Sequence, residues 1–266
     1  MNKSGLLKFA GACLVCLATV FSLRCVLAQE IGAADASRLF YQGNFEYKGA
    51  KYEAAIDNYQ KALNLGLESG NLYYNLGNSY FKKGELGKAV LNYERALILI
   101  PGDSDLKANY EYVLSLLNLG PQRFGNWFEK VVDKIFADAS INFLTVFLSL
   151  IYILAILALI SSLIFTAAKN GIKIFLLGLS ALFIISAVSL NSKIAYLTKG
   201  AVVISKEAQV KFEPMEGATT YFKLTEGSKA KVLDKAGNWY KIKRPDGKIG
   251  WISKEELGVI LDSSAR

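Results

Sequence analysis

Two long segments without charged residues constrain this chain more than any other feature of its sequence. They cover residues 139–168 and 174–192, and both consist mainly of aliphatic and aromatic residues. A helix needs about 20 consecutive apolar residues to cross the hydrocarbon layer of a membrane. The sequence therefore predicts two transmembrane helices, over residues 141–167 and 172–192.

Positive charge between these two segments predicts their orientation. The expected loop, residues 169–173, contains Lys169 and Lys173 and no acidic residue. Short loops rich in lysine or arginine remain on the cytoplasmic side of a membrane. The polar segments that flank the two spans are therefore expected outside the cytoplasm.

The N-terminus has the pattern of a secretory signal peptide. Lys3 and Lys8 precede an apolar segment, residues 9–23, and Ala28 is a small residue at a suitable cleavage position. The apolar segment is shorter than a membrane span requires. We expect residues 1–28 to direct the chain out of the cytoplasm, in agreement with the orientation predicted from the loop.

A repeat with a period of 34 residues precedes the apolar segments. The positions that recur carry glycine, alanine or tyrosine, and the pairs are Gly43 and Gly77, Ala55 and Ala89, Tyr59 and Tyr93, and Ala62 and Ala96. This period is the length of a helix-turn-helix solenoid unit. Because antiparallel helices approach closely only where a side chain is small, the glycine and the alanines are expected at the helix contact.

Residues 43–63 and 77–97, with Pro101 after the second copy, resemble the tetratricopeptide repeat (TPR) family. The resemblance implies two helical hairpins and a capping helix over residues 35–118. It also implies a concave surface, formed by the first helix of each hairpin, that binds extended segments of partner proteins. The residues expected on that surface are Phe40, Asn44, Tyr47, Lys48, Tyr74, Asn75, Asn78, Phe81, Lys82 and Asn109.

A short amphipathic segment, residues 124–138, separates the repeats from the first apolar segment. Trp127, Val131 and Ile135 recur there at the spacing of one helical face. The pattern is typical of a juxtamembrane helix that lies along the membrane surface. It fits equally well an ordinary helix that packs on the repeats.

Residues 199–260 alternate short apolar and polar stretches between turn signals. Strands are predicted near residues 201–205, 209–213, 229–233, 239–243 and 248–252. The sequence Pro-Asp-Gly at 245–247 is a typical hairpin turn. Five short strands in so few residues favour a small barrel.

The stretches "VKFEP", "NWYKIK" and "GKIGWI" resemble the bacterial SH3-like (SH3b) family. Trp239 and Trp251 are candidates for a ligand surface of this domain, but aromatic residues in so small a barrel more often belong to its core. Residues 199–260 carry 12 basic and 8 acidic side chains, a net charge of +4. This charge permits contact with an anionic cell-wall polymer such as peptidoglycan.

The residue types present argue against catalysis. The chain has no histidine, and its three cysteines all lie in the predicted signal peptide. These absences exclude Cys/His nucleophile pairs, Ser-His-Asp triads and histidine- or cysteine-ligated zinc in the mature chain. We therefore expect no catalytic residue, no metal and no cofactor. Residues 29–140 carry a net charge of −2, from 12 basic and 14 acidic side chains, so the overall +8 does not indicate nucleic-acid binding.

The predicted fold class is a multidomain membrane protein with all-α TPR hairpins, two transmembrane helices and a small all-β SH3-like barrel. This order of domains is similar to the BatE-type proteins of the bacterial aerotolerance (Bat) group. The resemblance implies a multi-pass scaffold in the bacterial inner membrane, with its TPR and SH3-like domains on the periplasmic side. It further implies partners among membrane proteins with von Willebrand A domains and a MoxR-type ATPase system.

Overall fold

A computed structural model describes residues 33–120, 122, 124–164 and 169–261. The predicted signal peptide, residues 1–28, lies outside the described residues. The chain divides into two compact units, one that ends at Glu68 and one that begins at Ser69. Each unit is described by itself.

The first unit is a helical hairpin. Helix α1 covers residues 33–48 and helix α2 covers Tyr52–Asn64. A Cβ atom on Gly43 would lie 2.5 Å from Cε1 of Tyr59, so only glycine allows this close approach. The Tyr59 hydroxyl donates a hydrogen bond to Oδ1 of Asn44 at 2.8 Å, which fixes the ring across the hairpin.

The second unit begins with the same arrangement. Helix α3 covers Gly70–Lys82 and helix α4 covers Leu86–Leu99. A Cβ atom on Gly77 would lie 2.6 Å from Cε1 of Tyr93, and the Tyr93 hydroxyl donates to Oδ1 of Asn78 at 2.7 Å. The predicted packing role of the repeated glycine is thereby confirmed in both hairpins.

Helix α5, Ser104–Leu116, packs on α4. Its N-terminus is capped by the Asp103 side chain, which accepts a hydrogen bond from the Leu106 amide at 2.8 Å. Pro101 is buried just before this cap. Because proline lacks an N–H group and disfavours helix, its position explains why α4 ends before it.

Three further helices follow, α6 at Trp127–Ile135, α7 at Ile141–Ile164 and α8 at Lys169–Lys199. Helices α6 and α7 both pack on α8. Helix α8 already includes residues 169–173, for which the sequence predicts a loop, and it continues past residue 192. Residues 169–173 contain no proline, and their single glycine, Gly171, destabilises a helix by only about 1 kcal/mol. No residue of this segment therefore prevents the helix from continuing through it.

The C-terminal part of the second unit is an antiparallel sheet of seven strands. The strands are β1 Gly200–Val203, β2 Glu207–Lys211, β3 Thr220–Thr225, β4 Lys229–Ala236, β5 Trp239–Lys243, β6 Ile249–Ser253 and β7 Leu257–Val259. Their order across the sheet is β3-β2-β6-β5-β4-β1-β7. The sheet is consistent with a small SH3-like domain, but its outer strands β3 and β7 do not pair, so it is not closed into a barrel.

Alternating residues of these strands form one apolar core. Its buried members are Ala201, Val203, Ala208, Val210, Leu224, Ala230, Ile242, Ile252 and Leu257. Strands β3 and β7 are not among the strands predicted from the sequence. Strand β7 has only three residues, which is too few to show alternation, and adjacent Tyr221 and Phe222 interrupt the alternation in β3.

Candidate functional site

Aromatic and amide side chains form an ordered surface between α3 and α5. The Asn109 amide donates to the Tyr74 hydroxyl at 2.8 Å and to Oδ1 of Asn78 at 3.1 Å. The rings of Phe81 and Tyr112 meet edge to face, with centroids 5.9 Å apart. Tyr112 remains 55% exposed. This surface, formed by Tyr74, Asn78, Phe81, Asn109 and Tyr112, is named the groove surface below.

The residues predicted to line the groove differ in their contacts and in their exposure to solvent. Asn78 already accepts hydrogen bonds from Tyr93 and Asn109, so its amide oxygen holds the helices together. Phe81 and the exposed Lys82, whose Nζ lies 5.9 Å from the Phe81 centroid, extend toward solvent. Asn75 lies on the same helix and is half-buried. Among these residues, Lys82 is exposed and Phe81 is partly exposed, and Tyr112 of α5 is 55% exposed.

The first unit carries its own set of predicted residues on α1. Asn44 accepts the hydrogen bond from Tyr59, so its amide oxygen holds the two helices of the hairpin together, as that of Asn78 does. The Phe40 ring centroid lies 6.0 Å from that of Tyr59, and the Tyr47 centroid lies 5.6 Å from that of Tyr52. Lys48 is exposed at the end of the helix.

The two tryptophans of the sheet have different environments. Trp239 is only 8% exposed, and Nζ of Lys211 lies 5.3 Å from its ring centroid. The structure therefore supports the core interpretation of Trp239 and leaves its ring little surface for a ligand. Trp251 is half-buried, with Nζ of Lys241 5.6 Å from its ring centroid.

A more exposed aromatic patch lies on the β2–β3 hairpin and was not predicted from the sequence. Phe212 is 57% exposed and Tyr221 is 43% exposed, and their ring centroids are 4.4 Å apart. Met215, 53% exposed, lies in the turn between these strands. The sequence feature that could have predicted this patch is "TYFKLT", a stretch with adjacent aromatic residues in a turn-rich region.

Family comparisons agree with this architecture. The family described as TPR repeat matches residues 43–84, and the tetratricopeptide repeat family matches residues 70–103. The family described as bacterial SH3 domain matches residues 206–258. The chain contains TPR repeats and a bacterial SH3 domain. No curated protein matches the chain.

The SH3 sheet is docked on the outer face of TPR helix α4. The Gly87 amide donates to Oε1 of Glu226 at 2.6 Å, and a Cβ atom on Gly87 would lie 2.6 Å from the carbonyl oxygen of Val203. The Arg95 guanidinium donates to the carbonyl oxygens of Val259 at 2.8 Å and Ile260 at 3.0 Å. The contact therefore excludes any side chain at position 87.

A buried ion pair joins the same two domains. Glu94 of α4 pairs with Lys229 of β4 and accepts a hydrogen bond from the Tyr110 hydroxyl. Nζ of Lys229 also lies 5.4 Å from the Tyr110 ring centroid and 5.7 Å from that of Tyr196 on α8. Burial, reinforced by the nearby Glu94 carboxylate, raises the pKa of Tyr110 well above its usual value. This cluster of Glu94, Tyr110, Tyr196 and Lys229 connects the TPR helices, the sheet and α8.

Metal binding has no support within the described residues. They contain no group of three or more histidine, cysteine, aspartate or glutamate side chains that could hold a metal ion.

Proposed function

We propose that this chain is a non-enzymatic, membrane-anchored scaffold that binds a partner protein through its TPR groove. The observation that carries the proposal is the groove surface, where hydrogen bonds fix Tyr74, Asn78 and Asn109 while Phe81 and Tyr112 stay accessible. Aromatic side chains held in place contribute much of the free energy at protein interfaces. TPR arrays present such surfaces to extended segments of other proteins.

Membrane anchoring rests on α7 and α8, which are long and apolar enough to cross a membrane. Most of their large side chains point away from the protein, as shown by Leu163, which is 80% exposed. A helix in the core of a soluble protein would bury such residues. The lysines at 169 and 173 favour an orientation in which the TPR and SH3 domains lie outside the cytoplasm.

Helix α6 extends this anchor along the membrane surface. One side of α6 packs on α8, where Val132 is buried and Asp133 accepts a hydrogen bond from Ser192 at 2.8 Å. The other side exposes Trp127 by 77% and Ile135 by 67%. Because Ser192 ends the uncharged segment of α8, this contact supports a position of the apolar face of α6 at the membrane boundary.

The order of domains supports a place in a Bat-type complex of the bacterial inner membrane. By that resemblance, the partners are membrane proteins with von Willebrand A domains and a MoxR-type ATPase system, and the process is aerotolerance. The docking of the SH3 sheet on α4 supports a scaffold of fixed geometry, in which the groove surface has a constant position relative to α8.

The proposal is tested by removing the accessible aromatic rings of the groove surface. The double substitution Phe81→Ala and Tyr112→Ala should weaken partner binding by about 2 kcal/mol or more, roughly thirtyfold. Partners are recovered from gently solubilised membranes after cross-linking and compared by quantitative mass spectrometry. The matched control is Phe212→Ala with Tyr221→Ala, which removes an exposed aromatic pair from the sheet.

An unchanged set of partners, with helix content preserved by circular dichroism, would show that the groove surface is not the binding site. If the control pair loses the partner instead, binding belongs to the SH3 sheet.

A second candidate function is peptidoglycan binding by the SH3 domain, favoured by the exposed pair Phe212 and Tyr221 and by the half-buried Trp251. It predicts saturable sedimentation of the solubilised full chain with purified peptidoglycan. The binding should persist at moderate salt, where simple attraction between lysines and the polymer is screened. It should be lost in Phe212→Ala with Tyr221→Ala and kept in Phe81→Ala with Tyr112→Ala.

A further inference from the structure

A cavity of about 480 Å³ lies within the second unit, where the TPR helices, α6, α8 and the SH3 sheet meet. This volume is in the range of small-molecule sites. Its polar wall includes Gln122, Asp133, Lys193 and Lys231, and its apolar wall includes Phe124 and Ile141. The cavity lies beside the buried cluster of Glu94 and Lys229 but is not filled by it.

Three buried polar atoms of residues that line this cavity, in Asp133, Gln122 and Tyr196, lack a partner within the described part of the chain. Oδ1 of Asp133 has no hydrogen bond, although Oδ2 of the same carboxylate accepts one from Ser192. Nε2 of Gln122 has no hydrogen bond, although its Oε1 accepts one from the Lys229 amide at 2.8 Å. Buried polar groups in native proteins are almost always paired. The wall of the cavity therefore contains one unsatisfied acceptor, on Asp133, and unsatisfied donors on Gln122 and Tyr196.

The charges in the cavity define what such a molecule must carry. Lys107 is paired with Asp138, and Lys229 is paired with Glu94. Lys193 and Lys231 have weaker contacts, since Nζ of Lys193 lies 3.4 Å from the carbonyl oxygen of Ala137 and Nζ of Lys231 lies 4.8 Å from the Phe124 ring centroid. A ligand that complements this wall has a hydrogen-bond donor for Asp133 and an anionic group for the two lysines.

Desolvation affects both sides of this wall. Burial raises the pKa of Asp133 although Lys193 and Lys231 lie near it, and burial lowers the pKa of Lys231 although Glu129 and Asp133 lie near it. A cationic group on Asp133 and an anionic group on Lys231 would offset both effects. The wall is therefore incomplete electrostatically as well as in its hydrogen bonds.

The position of the cavity identifies the source of the ligand. Ile141 is the first residue of α7, and Ser192 and Lys193 lie where the uncharged segment of α8 ends. If α7 and α8 cross the membrane, as proposed above, the cavity lies at the level of the lipid headgroups. A phospholipid can then place its headgroup in the cavity while its acyl chains remain beside α7 and α8.

We propose that this cavity binds the headgroup of phosphatidylethanolamine, with the lipid ammonium on Asp133 and the lipid phosphate between Lys193 and Lys231. The inference rests on the proposed membrane anchoring. Phosphatidylethanolamine provides N–H donors for the free oxygen of Asp133, whereas the quaternary amine of phosphatidylcholine provides none. The phosphate is the anionic group that the lysines require.

The test uses the full chain in nanodiscs that contain phosphatidylglycerol with either phosphatidylethanolamine or phosphatidylcholine. Native mass spectrometry after release into detergent measures the lipid that stays bound. We expect one retained phosphatidylethanolamine and no retained phosphatidylcholine. Asp133→Asn and Lys231→Gln should each reduce retention about tenfold, because each removes one charge-assisted hydrogen bond. Lys134→Gln, on the exposed side of α6, should retain the lipid fully.

Several results would overturn the proposal. Equal retention in Asp133→Asn, Lys231→Gln and the unmodified chain would place the lipid on the outside of the helices. Equal retention of both lipids would exclude recognition of the amine. Binding of soluble glycerophosphoethanolamine as tight as that of the lipid would identify a free metabolite as the ligand. Alkaline carbonate extraction tests the membrane anchoring separately, since a chain released by carbonate would contradict the anchoring whatever the cavity binds.

Discussion

The two TPR hairpins share their internal contacts and differ on the outer face of the second helix. Both pack a glycine against a tyrosine whose hydroxyl donates to an asparagine. On α2 the outer positions are polar and exposed, namely Glu53, Asp57, Gln60 and Lys61. On α4 the corresponding positions are covered by the SH3 sheet, namely Gly87, Leu91, Glu94 and Arg95.

This difference shows that one helical hairpin can serve two purposes without a change in its interior. The repeated small and aromatic residues specify the hairpin, and the outer residues of its second helix specify what docks there. At Leu91, for example, Cδ2 lies 2.4 Å from the position that a Cβ atom on Gly258 would occupy, so the fit requires glycine on the sheet as well. The corresponding residue of α2 is Asp57, which remains in solvent.

Of the changes that test this comparison, removal of the buried Glu94 carboxylate should alter the free energy of unfolding most. Glu94→Ala leaves Lys229 charged and 15% exposed without its partner, which should destabilise the second unit by about 3–5 kcal/mol. The matched change in the first hairpin, Gln60→Ala, should cost less than about 0.5 kcal/mol. Thermal unfolding in detergent measures both, with tryptophan fluorescence for the second unit, which contains all three tryptophans, and helical circular dichroism for the first hairpin. A small effect of Glu94→Ala would mean that Lys229 reaches solvent easily.

A smaller change in the free energy of unfolding is expected for a substitution at Gly87, and its sign tests whether the sheet is docked. Alanine stabilises a free helix by about 1 kcal/mol relative to glycine. In the docked sheet its Cβ would lie 2.6 Å from the carbonyl oxygen of Val203, so Gly87→Ala should destabilise the unit by about 1–3 kcal/mol. Glu53→Ala, the change at the corresponding position of α2, should leave the free energy of unfolding nearly unchanged. Stabilisation by Gly87→Ala in the same unfolding measurement would show that the sheet is not docked on α4 in solution.

The shared interior predicts equal effects in the two hairpins. Tyr59→Phe and Tyr93→Phe each remove one hydroxyl that donates to an asparagine, and each should cost about 1 kcal/mol. Loss of helical circular dichroism with increasing denaturant measures both variants. Costs that differ by more than about 1 kcal/mol would contradict the equivalence of the two interiors.

The smallest effect is confined to alkaline pH. Burial raises the pKa of Tyr59 above its usual value of 10.0, so the unfolded chain loses this proton first. The stability that Tyr59 contributes is therefore complete below pH 10 and is lost as the pH rises above that value. Denaturant unfolding between pH 8 and pH 11 should show this decline, and Tyr59→Phe should reduce it. A decline of the same size in Tyr59→Phe would assign it to other groups.

Much of the fold could be predicted because the signals are local and periodic. Gly43 and Gly77 identify the repeat, and the two uncharged segments identify the two long apolar helices. The docked interface could not be predicted in the same way, because the residues on its two sides are far apart in sequence, as Gly87 and Glu226 are. A signal was nevertheless present, since glycine and leucine replace glutamate and aspartate at the outer positions of the second repeat.

The candidate site was predicted less completely than the fold. The period of the repeat places Asn44 and Asn78 on the concave side, but it cannot show that their amide oxygens already bond the hairpin tyrosines. Likewise, alternation in β5 does not show that the ring of Trp239 is only 8% exposed. These properties depend on the neighbours of each side chain in three dimensions, which a single sequence does not specify.

Helix α8 ends at Lys199 and strand β1 begins at Gly200, so no linker separates the second apolar helix from the sheet. A Cβ atom on Gly200 would lie 2.4 Å from the carbonyl oxygen of Tyr196, which makes the junction tight as well as short. In the proposed membrane-anchored scaffold, tilt or rotation of α8 in the bilayer would therefore turn the sheet. Because the sheet is bonded to α4, the same motion would change the direction in which the groove surface faces, so bilayer thickness and helix packing would control the angle at which the proposed partner is bound.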